Sequence, residues 1–388
     1  MIPYGKQQVT QQDIDAVVET LKSDYLTQGP KVEEFEAKLS AYVNADFACV
    51  TNSATSALHI ACLALGVTDK SLVWTTPNTY VATANCALYC KARIDFVDID
   101  KDTYNLCHIK LEQKLNEHLE AGEQLPDVVI PVHFAGQSCN MEAINRLSEK
   151  FGFSIIEDAS HAVGGMYQGH HIGNCHYSDI TVFSFHPVKI ITSGEGGAAL
   201  TNNSELYKKL KLFCSHGVTR DKDMLLMPNE HLWYYEQIDL GFNYRMTDIH
   251  AALGLSQLSR LKNSLIKRSE IANRYNELLA DMPIKLPYIL AECESAWHLY
   301  TIQINNITHD RNAVFKSLRE SGIGVNVHYI PVHTQPYYQQ LGFQWGNFPA
   351  AEKYANQTIS LPIYPDLELK QQIEVVTAIK LALEEGSK

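Results

Sequence analysis

Short apolar runs alternate with helix-like stretches along the first half of the chain. Seven of these runs are rich in valine, isoleucine and other apolar residues: Phe47 to Val50, Leu72 to Trp74, Ile94 to Val97, Val128 to Val132, Ile155 to Glu157, Thr181 to Phe183 and Ala198 to Leu200. Runs this short, separated by helical patterns, are typical of βαβ units, whose parallel strands are buried on both faces. The pattern predicts a mainly parallel sheet.

Helical periodicity is clearest at two places. An amphipathic helix opens the chain, because from Asp13 onwards apolar residues recur every three or four positions, at Ile14, Val17, Val18 and Leu21. A long helix is predicted to begin after Thr247, a suitable N-cap, and to run towards Leu279.

The texture of the chain changes after Pro283. Strands are predicted at Tyr300 to Ile304 and Val325 to Val327, with a helix near Arg311 to Glu320 between them. A final helix is marked by Leu369, Ile373, Val376 and Leu383. We therefore expect a large α/β domain over residues 1–245, a connecting long helix over 246–282, and a small C-terminal α+β domain over 283–388.

Composition and charge exclude several classes of protein. With 32 Lys and Arg against 44 Asp and Glu, the 388 residues carry a net charge of −12, so we expect no general binding to nucleic acid or to an anionic membrane. No apolar stretch is long enough to span a bilayer, and no export signal is visible. Nine scattered cysteines without a Cys-x-x-Cys pair indicate buried thiols in a cytoplasmic protein.

No metal site is predicted. Histidines alone could suggest one, but they have no companion carboxylate at ligand spacing: His170, His171, His328 and His333. Ligands of an open parallel sheet instead collect outside the carboxyl ends of its strands, so polar residues directly after strands are the places to search.

The first such place is Thr51 to Ser56, which lies between a strand and a helix. Free backbone amides at a helix start, with small hydroxyl side chains, suit a phosphate or another anion. Ordinary helix capping explains the same residues equally well. Neither Gly-x-Gly-x-x-Gly nor a Walker loop occurs, which argues against dinucleotide and nucleoside triphosphate folds.

Three further places carry ionisable or polar groups. The strand at Ile155 to Glu157 leads into Asp158, which would stay ionised beside a cofactor cation or would serve only as a loop cap. Lys189 follows an apolar strand and precedes a glycine-rich turn, where burial would free its amine for a Schiff base; a structural lysine is the alternative. The loop Gly241 to Asp248 includes Asn243, a suitable anion contact.

These segments together provide what pyridoxal 5′-phosphate (PLP) needs: an anion cradle, a carboxylate for the ring nitrogen, and a lysine for the aldehyde. Nearly the whole chain resembles the DegT/DnrJ/EryC1/StrS sugar aminotransferases, through motifs in the same order: Thr27-Gln28-Gly29-Pro30, Thr76 to Asn85, Val132-His133-Phe134-Ala135-Gly136-Gln137, Glu157-Asp158-Ala159-Ser160-His161, Ser184 to Lys189 and Gly241 to Arg245. The resemblance implies the PLP-dependent transferase fold type I, like aspartate aminotransferase, with a seven-stranded sheet in the large domain.

The resemblance also implies roles for individual residues. Lys189 would bind the aldehyde and shuttle protons, Asp158 would keep the ring nitrogen protonated, and His161 would help to place the cofactor. Further cofactor contacts would come from Ser53, Ala54, Thr55, Tyr80, stacked on the ring, Ser184, and Asn243 of a neighbouring subunit. The active unit would therefore be a homodimer. Loops around the sugar substrate would contribute Tyr4, Gln28, His186, Tyr244 and His328.

Lys189 also separates two reactions within this family. Related enzymes that remove a sugar hydroxyl carry histidine at this position, so transamination is favoured over dehydration. The finer resemblance is to members that use L-glutamate to aminate C4 of a UDP-linked 4-keto-6-deoxy-N-acetylhexosamine in pseudaminic acid biosynthesis. Alternatives are another keto sugar, namely a bacillosamine or legionaminic acid precursor, a 4-keto pentose or a dTDP-3-keto sugar, or a non-catalytic regulator of the same fold.

Overall fold

A computed structural model describes residues 1–227, 231–305 and 309–385. Its strands are β1 (Phe47–Thr51), β2 (Leu72–Thr75), β3 (Arg93–Phe96), β4 (Val128–Ile130), β5 (Ser154–Asp158), β6 (Met166–Tyr167), β7 (His170–His171), β8 (Ile180–Ser184), β9 (Gly197–Thr201), β10 (Val218–Thr219), β11 (Glu236–Gln237), β12 (Ile284–Lys285), β13 (Cys293–Glu294), β14 (Tyr300–Ile304) and β15 (Thr358–Leu361).

The helices alternate with these strands in the first half of the chain and dominate the second. They are α1 (Gln11–Leu21), α2 (Pro30–Val43), α3 (Ala54–Ala64), α4 (Ala82–Tyr89), α5 (His108–Ala121), α6 (Met141–Phe151), α7 (Ser204–Cys214), α8 (Asp248–Ser259), α9 (Leu261–Leu278), α10 (Arg311–Glu320), α11 (Pro336–Gln339), α12 (Pro349–Gln357) and α13 (Leu369–Glu385). Within the described ranges, no helix is both long and apolar enough to cross a membrane.

All seven apolar runs of the first half form one sheet, as the pattern predicts. Its strand order is β1-β9-β8-β5-β4-β2-β3, and β9 runs antiparallel to both of its neighbours. The pairs β2–β3, β2–β4, β4–β5 and β5–β8 are parallel. The prediction of a mainly parallel seven-stranded sheet is confirmed.

Residues on either side of each strand belong to different cores. Ile156 and Val182 pack with α3, α4 and α7 on one face, whereas Phe183 and Leu200 pack with α2 and α8 on the other. Successive side chains of a strand point to opposite faces, so burial on both sides requires an apolar residue at nearly every position. This explains why the strands read as continuous apolar runs. All nine cysteines are free and buried, as expected.

The C-terminal part is an α+β layer with its own core. Strands β12, β14 and β15 form an antiparallel sheet that packs against α9, α10 and α13. The prediction of a strand at Val325 to Val327 is wrong. Only Asn326 makes a bridge, to Ser360, and its own side chain accepts a hydrogen bond from the Val327 amide, which interrupts a regular ladder.

The predicted long helix after Thr247 is two helices. Thr247 caps α8 by accepting a hydrogen bond from the His250 amide, at 3.2 Å, as expected of an N-cap. Arg260, with φ −108° and ψ 3°, then separates α8 from α9. Its guanidinium pairs with the carboxylate of Asp13 on α1. The apolar spacing of the sequence continues across Arg260, so it does not reveal the break between the two helices.

The opening helix α1 is present, but its apolar stripe faces outwards. Ile14, Val18 and Leu21 are 47%, 37% and 54% exposed, whereas the buried members are Asp13 and Thr20. Asp13 accepts hydrogen bonds from α8, and these anchor the polar side of α1 to the protein. The helix therefore presents an apolar surface away from the core of its own chain.

Candidate active site

A cavity of about 470 Å³ lies at the carboxyl ends of β5 and β8, beside the start of α3 and a loop of the C-terminal part. Eleven of the fourteen residues singled out in the sequence line it: Tyr4, Ser53, Ala54, Thr55, Tyr80, Asp158, His161, Ser184, His186, Lys189 and His328. Gln28, Asn243 and Tyr244 are not among the lining residues. The fold thus brings together side chains from segments that are far apart in the sequence.

Asp158 is the last residue of β5 and faces the cavity. It shares the face of Ile156, towards α3 and α4, because strand residues two apart point the same way. Its carboxylate accepts a hydrogen bond from the Thr83 hydroxyl at 2.6 Å and another from the Ser160 amide at 3.1 Å. Thr83 in turn contacts the Thr79 hydroxyl at 2.7 Å. These contacts hold a 4% exposed carboxylate in one orientation.

The neighbouring carboxylate, Glu157, faces the other side of the sheet. It pairs with His133, whose Nε2 lies 2.6 Å from a Glu157 oxygen, and it accepts hydrogen bonds from Ser178 and Thr181. Burial raises the pKa of Glu157, but the His133, Ser178 and Thr181 contacts outweigh it and keep that pKa below the usual value. Glu157 is therefore a satisfied core group, and Asp158 is the carboxylate available to a ligand.

Lys189 lies in the loop after β8, across the cavity from Asp158. Burial lowers the pKa of its ammonium to about 8, and the charge of Asp158 offsets only part of this effect. No hydrogen-bond acceptor for the Lys189 side chain is found among the described residues, although its backbone amide donates to His186 at 2.9 Å. An amine held this way is available as a nucleophile near neutral pH.

The start of α3 forms an anion cradle beside Lys189. The Ser53 hydroxyl accepts a hydrogen bond from the Ser56 amide, at 3.1 Å, which caps the helix. The amides of Ala54 and Thr55 find no acceptor within the described part of the chain, and both residues line the cavity. Gly197 allows β9 to pass this close, because a Cβ there would lie 2.5 Å from the Ala54 nitrogen. Amides presented in this way suit a phosphate.

A group of ring side chains forms another part of the cavity wall. His161, His298 and His328 are 4%, 5% and 7% exposed, and the His161 and His298 rings lie 4.3 Å apart. Burial lowers the pKa of His161 well below its usual value, and the nearby Lys189 charge adds to this. Burial lowers the pKa of His328 to about 3. All three rings are therefore neutral at physiological pH.

The three predicted residues outside the cavity lie on or near the surface of the chain. Gln28 and Asn243 are exposed. The Tyr244 hydroxyl contacts His59 Nδ1 at 3.2 Å instead of the cavity. Within one chain, these residues do not reach the cavity, so their roles in binding stay predictions.

Sequence reasoning assigned no role to three residues that the fold places at the site. Thr83 contacts Asp158, Tyr329 contacts His161, and His298 packs against the same histidine. Thr83 lies one helical turn after Thr79, in a segment singled out for other reasons, and no charge or motif marks the other two. Among the residues that the structure describes, no group of three or more His, Cys, Asp or Glu side chains could hold a metal ion.

Known proteins are similar to this chain over nearly its whole length. The sequence profile of the DegT/DnrJ/EryC1/StrS aminotransferase family matches residues 7–380. The chain belongs to this family. A relative from Campylobacter jejuni, UDP-4-amino-4,6-dideoxy-N-acetyl-beta-L-altrosamine transaminase, is 39% identical over 372 residues, which cover 95% of this chain and 94% of the relative. The Bacillus subtilis spore coat polysaccharide biosynthesis protein SpsC is 37% identical and covers 98% of this chain and 96% of its own.

Solved structures agree with this assignment. The chain superposes on Helicobacter pylori PseC, an aminotransferase involved in pseudaminic acid biosynthesis, with a TM-score of 0.89 at 33% identity over 99% of both chains. It also matches the PLP form of the Streptococcus pneumoniae putative sugar aminotransferase Spr1654, with a TM-score of 0.88 at 30% identity over 99% of both chains. The protein is a PLP-dependent sugar aminotransferase, and the predicted fold type I is confirmed.

The residues of the cavity fit this cofactor. Bound PLP supplies an aldehyde that condenses with amines and a ring that accepts the electrons of a breaking C–H bond. In this chain, Lys189 offers an amine of lowered pKa, Asp158 offers a fixed carboxylate, and the start of α3 offers unpaired amides for the phosphate. All three groups open onto the same space.

Proposed function

We propose that the enzyme transfers the amino group of L-glutamate to C4 of a UDP-linked 4-keto-6-deoxy-N-acetylhexosamine. The product would be UDP-4-amino-4,6-dideoxy-N-acetyl-β-L-altrosamine, the sugar of pseudaminic acid biosynthesis. The names of the Campylobacter relative and of the Helicobacter structure support this substrate, because both similarities extend over nearly the full chain. We propose the identity of the sugar and of the amino donor. The aminotransferase activity itself follows from membership of the family.

The observation that supports transamination, the reaction within this proposal, is the state of Lys189. Lys189 has a pKa of about 8 and faces Asp158 across the cavity. In our proposal, Lys189 binds the cofactor aldehyde and, once released, moves the proton between the cofactor carbon and the carbon that gains or loses the amine. Asp158 keeps the proton on the ring nitrogen. Its carboxylate is held in position by hydrogen bonds from Thr83 and from the Ser160 amide.

Other cavity residues would bind and orient the ligands. We propose that Ser53, Ala54, Thr55 and Ser184 hold the cofactor phosphate and that Tyr80, 62% exposed in the single chain, covers the ring; all five line the cavity. We propose that Tyr4, His186 and His328, which also line the cavity, contact the sugar nucleotide or glutamate. His161 would help to place the cofactor.

We further propose that the active unit is a homodimer. The exposed apolar stripe of α1 and the exposed position of Asn243 support it, since both are explained by cover from a second copy. In this arrangement Asn243, and with it Gln28 and Tyr244, would complete the cavity of the partner subunit.

The substrate is tested by incubating the purified enzyme with L-glutamate and either the UDP-linked 4-keto hexosamine or dTDP-linked keto sugars. We expect a 4-amino product from the UDP sugar alone, identified by NMR and by formation of 2-oxoglutarate. Amination of only a dTDP sugar would contradict the proposed substrate and leave the aminotransferase class intact.

The shared site is tested by complementation between two inactive variants. A Lys189→Ala subunit and an Asn243→Ala subunit should each be impaired as homodimers. In a mixed dimer, the cavity that holds the intact Lys189 receives the intact Asn243 from the other subunit. Subunit exchange should therefore restore up to about a quarter of the wild-type sites. No recovery in verified mixed dimers would contradict the contribution of Asn243 across the interface.

A further inference from the structure

His161 and Tyr329 form a hydrogen-bonded pair in the wall of the cavity. The Tyr329 hydroxyl lies 3.0 Å from His161 Nε2, and the Ala135 amide lies 3.3 Å from His161 Nδ1. Ala135 has a left-handed backbone, with φ +59°, and its carbonyl accepts a hydrogen bond from the His298 amide at 2.9 Å. The backbone donor to His161 is thus fixed by the fold.

This arrangement decides the direction of both hydrogen bonds. A backbone N–H can only donate, so Nδ1 of His161 is an acceptor. The ring is neutral, since burial and the Lys189 charge keep the pKa of His161 well below its usual value, and its single proton is therefore on Nε2. Nε2 donates to the oxygen of Tyr329. The hydroxyl proton of Tyr329 must then point elsewhere.

Within the part of the chain that the structure describes, this proton has no acceptor. The hydroxyl has the contact to His161 and no other, and Tyr329 lines the same cavity as Lys189 and Asp158. Burial and the nearby Asp158 charge raise the pKa of Tyr329, so the phenol keeps its proton at physiological pH. The result is an oriented donor whose partner is not part of the protein.

We propose that Tyr329 donates a hydrogen bond to an anionic or carbonyl oxygen of the ligands bound in the cavity. The relay runs in one direction, from the Ala135 amide through His161 to Tyr329 and then to the ligand. Two ligands can supply such an oxygen, namely the ring oxygen of the cofactor and an oxygen of the substrate. The case of the cofactor oxygen requires only that the enzyme binds PLP. The case of the substrate oxygen rests on the proposed function.

The surroundings of the hydroxyl favour an oxygen acceptor over a cation. The phenol ring is half-buried and lies 6.4 Å from the Tyr80 ring and 6.2 Å from the Phe134 ring. The titratable groups that act on this wall are Lys189, Asp158, His161, His298, His328, Tyr4, Tyr80 and Tyr354. A hydrogen bond to a charged oxygen is worth more in such a setting than in water.

The test is Tyr329→Phe, which removes the donor and keeps the ring. The holoenzyme is titrated with pH in the absence of substrate, and the visible absorbance of the bound cofactor is followed. If the acceptor is the cofactor ring oxygen, loss of the donor destabilises the anionic oxygen, and the midpoint should move to higher pH by about one to two units. An unshifted midpoint excludes the cofactor as the acceptor.

Steady-state kinetics cover the substrate arm. If the acceptor is a substrate oxygen, the cofactor titration should be unchanged, and KM for either the keto sugar or glutamate should rise about tenfold or more, with a smaller change in kcat. If neither the titration midpoint nor KM changes, the proposal is overturned. If the proposed sugar is not a substrate, the pH titration of the bound cofactor still tests the hydrogen bond from Tyr329. The proposed substrate and the proposed role of Tyr329 can therefore be contradicted independently.

Two controls separate positioning from general damage. Tyr300→Phe removes a phenol hydroxyl that donates to Asn276 at 2.7 Å, away from the cavity, and should lower thermal stability without shifting the cofactor titration. His161→Leu should produce part of the Tyr329→Phe shift, because Tyr329 loses its orienting donor. His161→Gln should restore the wild-type midpoint, since an amide can accept from Ala135 and donate to Tyr329. Equal midpoints in the leucine and glutamine variants would contradict the relay.

Discussion

Two lysines of the large sheet region show opposite behaviour, although burial acts on both. Lys211 on α7 lies 2.9 and 3.0 Å from the two oxygens of Glu36, and Glu36 also accepts the Val50 amide at 3.0 Å. Lys189 has no such partner among the described residues, and Asp158 acts on it only through its charge. Burial lowers both pKa values, but the charge and the hydrogen bonds of Glu36 reverse this for Lys211, whose pKa ends above the usual value.

The difference lies in what each carboxylate is bonded to. Glu36 is committed to Lys211, so this pair ties α2 to α7 and leaves neither group for chemistry. Asp158 is committed to Thr83 and Ser160, which leaves Lys189 desolvated and unpaired. A lysine bonded to a carboxylate links two helices, whereas a buried lysine kept apart from its nearest carboxylate is reactive.

The largest effect should follow from Lys189→Ala. Loss of the amine removes both the covalent attachment of the cofactor and the proton carrier, so turnover should fall by at least about a thousandfold. Mass spectrometry after borohydride reduction should find the pyridoxyl adduct on Lys189 in the wild type only. Lys211→Ala is the matched control and should keep the adduct and the turnover. A pyridoxyl adduct on another lysine would contradict the assignment of Lys189 as the residue that binds the cofactor.

Asp158→Asn should lower turnover by about a hundredfold and weaken cofactor retention, because the neutral amide no longer holds a proton on the ring nitrogen. Dialysis followed by absorbance measures the retention. Glu157→Gln changes the preceding residue in the same way, on the opposite face of β5, and should reduce stability more than turnover. Equal turnover losses in the two variants would contradict the assignment of Asp158 alone to the cofactor.

Replacing the two lysines should change the free energy of unfolding in opposite directions. Lys211→Met leaves the buried Glu36 carboxylate unpaired and should lower the free energy of unfolding by about 2 kcal/mol, discounted for the partly exposed lysine. Lys189→Met should stabilise the cofactor-free protein.

The sign for Lys189 follows from its pKa, which is about 8 in the folded chain against 10.5 for an ordinary lysine. Between these values the unfolded chain binds more protons, so the native state gains stability as pH rises. The gain from Lys189→Met should therefore be largest below pH 8 and vanish above 10.5. Urea unfolding of both variants at several pH values checks this, and destabilisation by both changes would contradict it.

The reactivity of Lys189 should change by about tenfold between pH 7 and pH 9. With a pKa of about 8, roughly a tenth of the amine is unprotonated at pH 7 and most of it at pH 9. The rate at which cofactor-free enzyme binds PLP covalently, followed by absorbance, should rise with a midpoint near 8. A rate that keeps rising beyond pH 10 would indicate an ordinary, solvated lysine.

The smallest effect concerns Thr83, whose hydroxyl donates a hydrogen bond to the Asp158 carboxylate. Thr83→Val removes the 2.6 Å hydrogen bond and nearly preserves the volume of the side chain, so turnover should fall about fivefold. Thr83→Ser, which keeps the hydroxyl, should remain near wild type. A larger loss in the serine variant would point to packing as the role of Thr83.

Much of this site could be predicted from the sequence because strand ends concentrate ligands. Asp158 ends one buried strand, Lys189 follows another, and Thr55 lies in the first turn of the helix after a third, so the order of apolar runs already places them at one edge. Thr83, His298 and Tyr329 could not be found this way. Their contacts depend on how α4 and the C-terminal part pack on the sheet, which apolar periodicity does not encode.

The errors in the fold have a similar origin. The break at Arg260 follows from an ion pair to Asp13, a residue about 250 positions away, so local spacing gave no warning of it. The segment Val325 to Val327 has the composition of a strand, but Asn326 bonds to the adjacent backbone and breaks the ladder. A long-range ion pair in the first case, and a hydrogen bond between neighbouring residues in the second, overrode the local propensity.

Strand β5 carries two acidic residues side by side, one for each face of the sheet. A shift of the strand by a single position would turn each of them to the opposite face, so that Glu157 would point to the side of the cavity and Asp158 to the side of His133. Each carboxylate would then lose the partner that holds it, Thr83 for Asp158 and His133 for Glu157. An insertion or deletion within β5 would thus damage cofactor binding and folding together, whereas a point substitution damages only one of them.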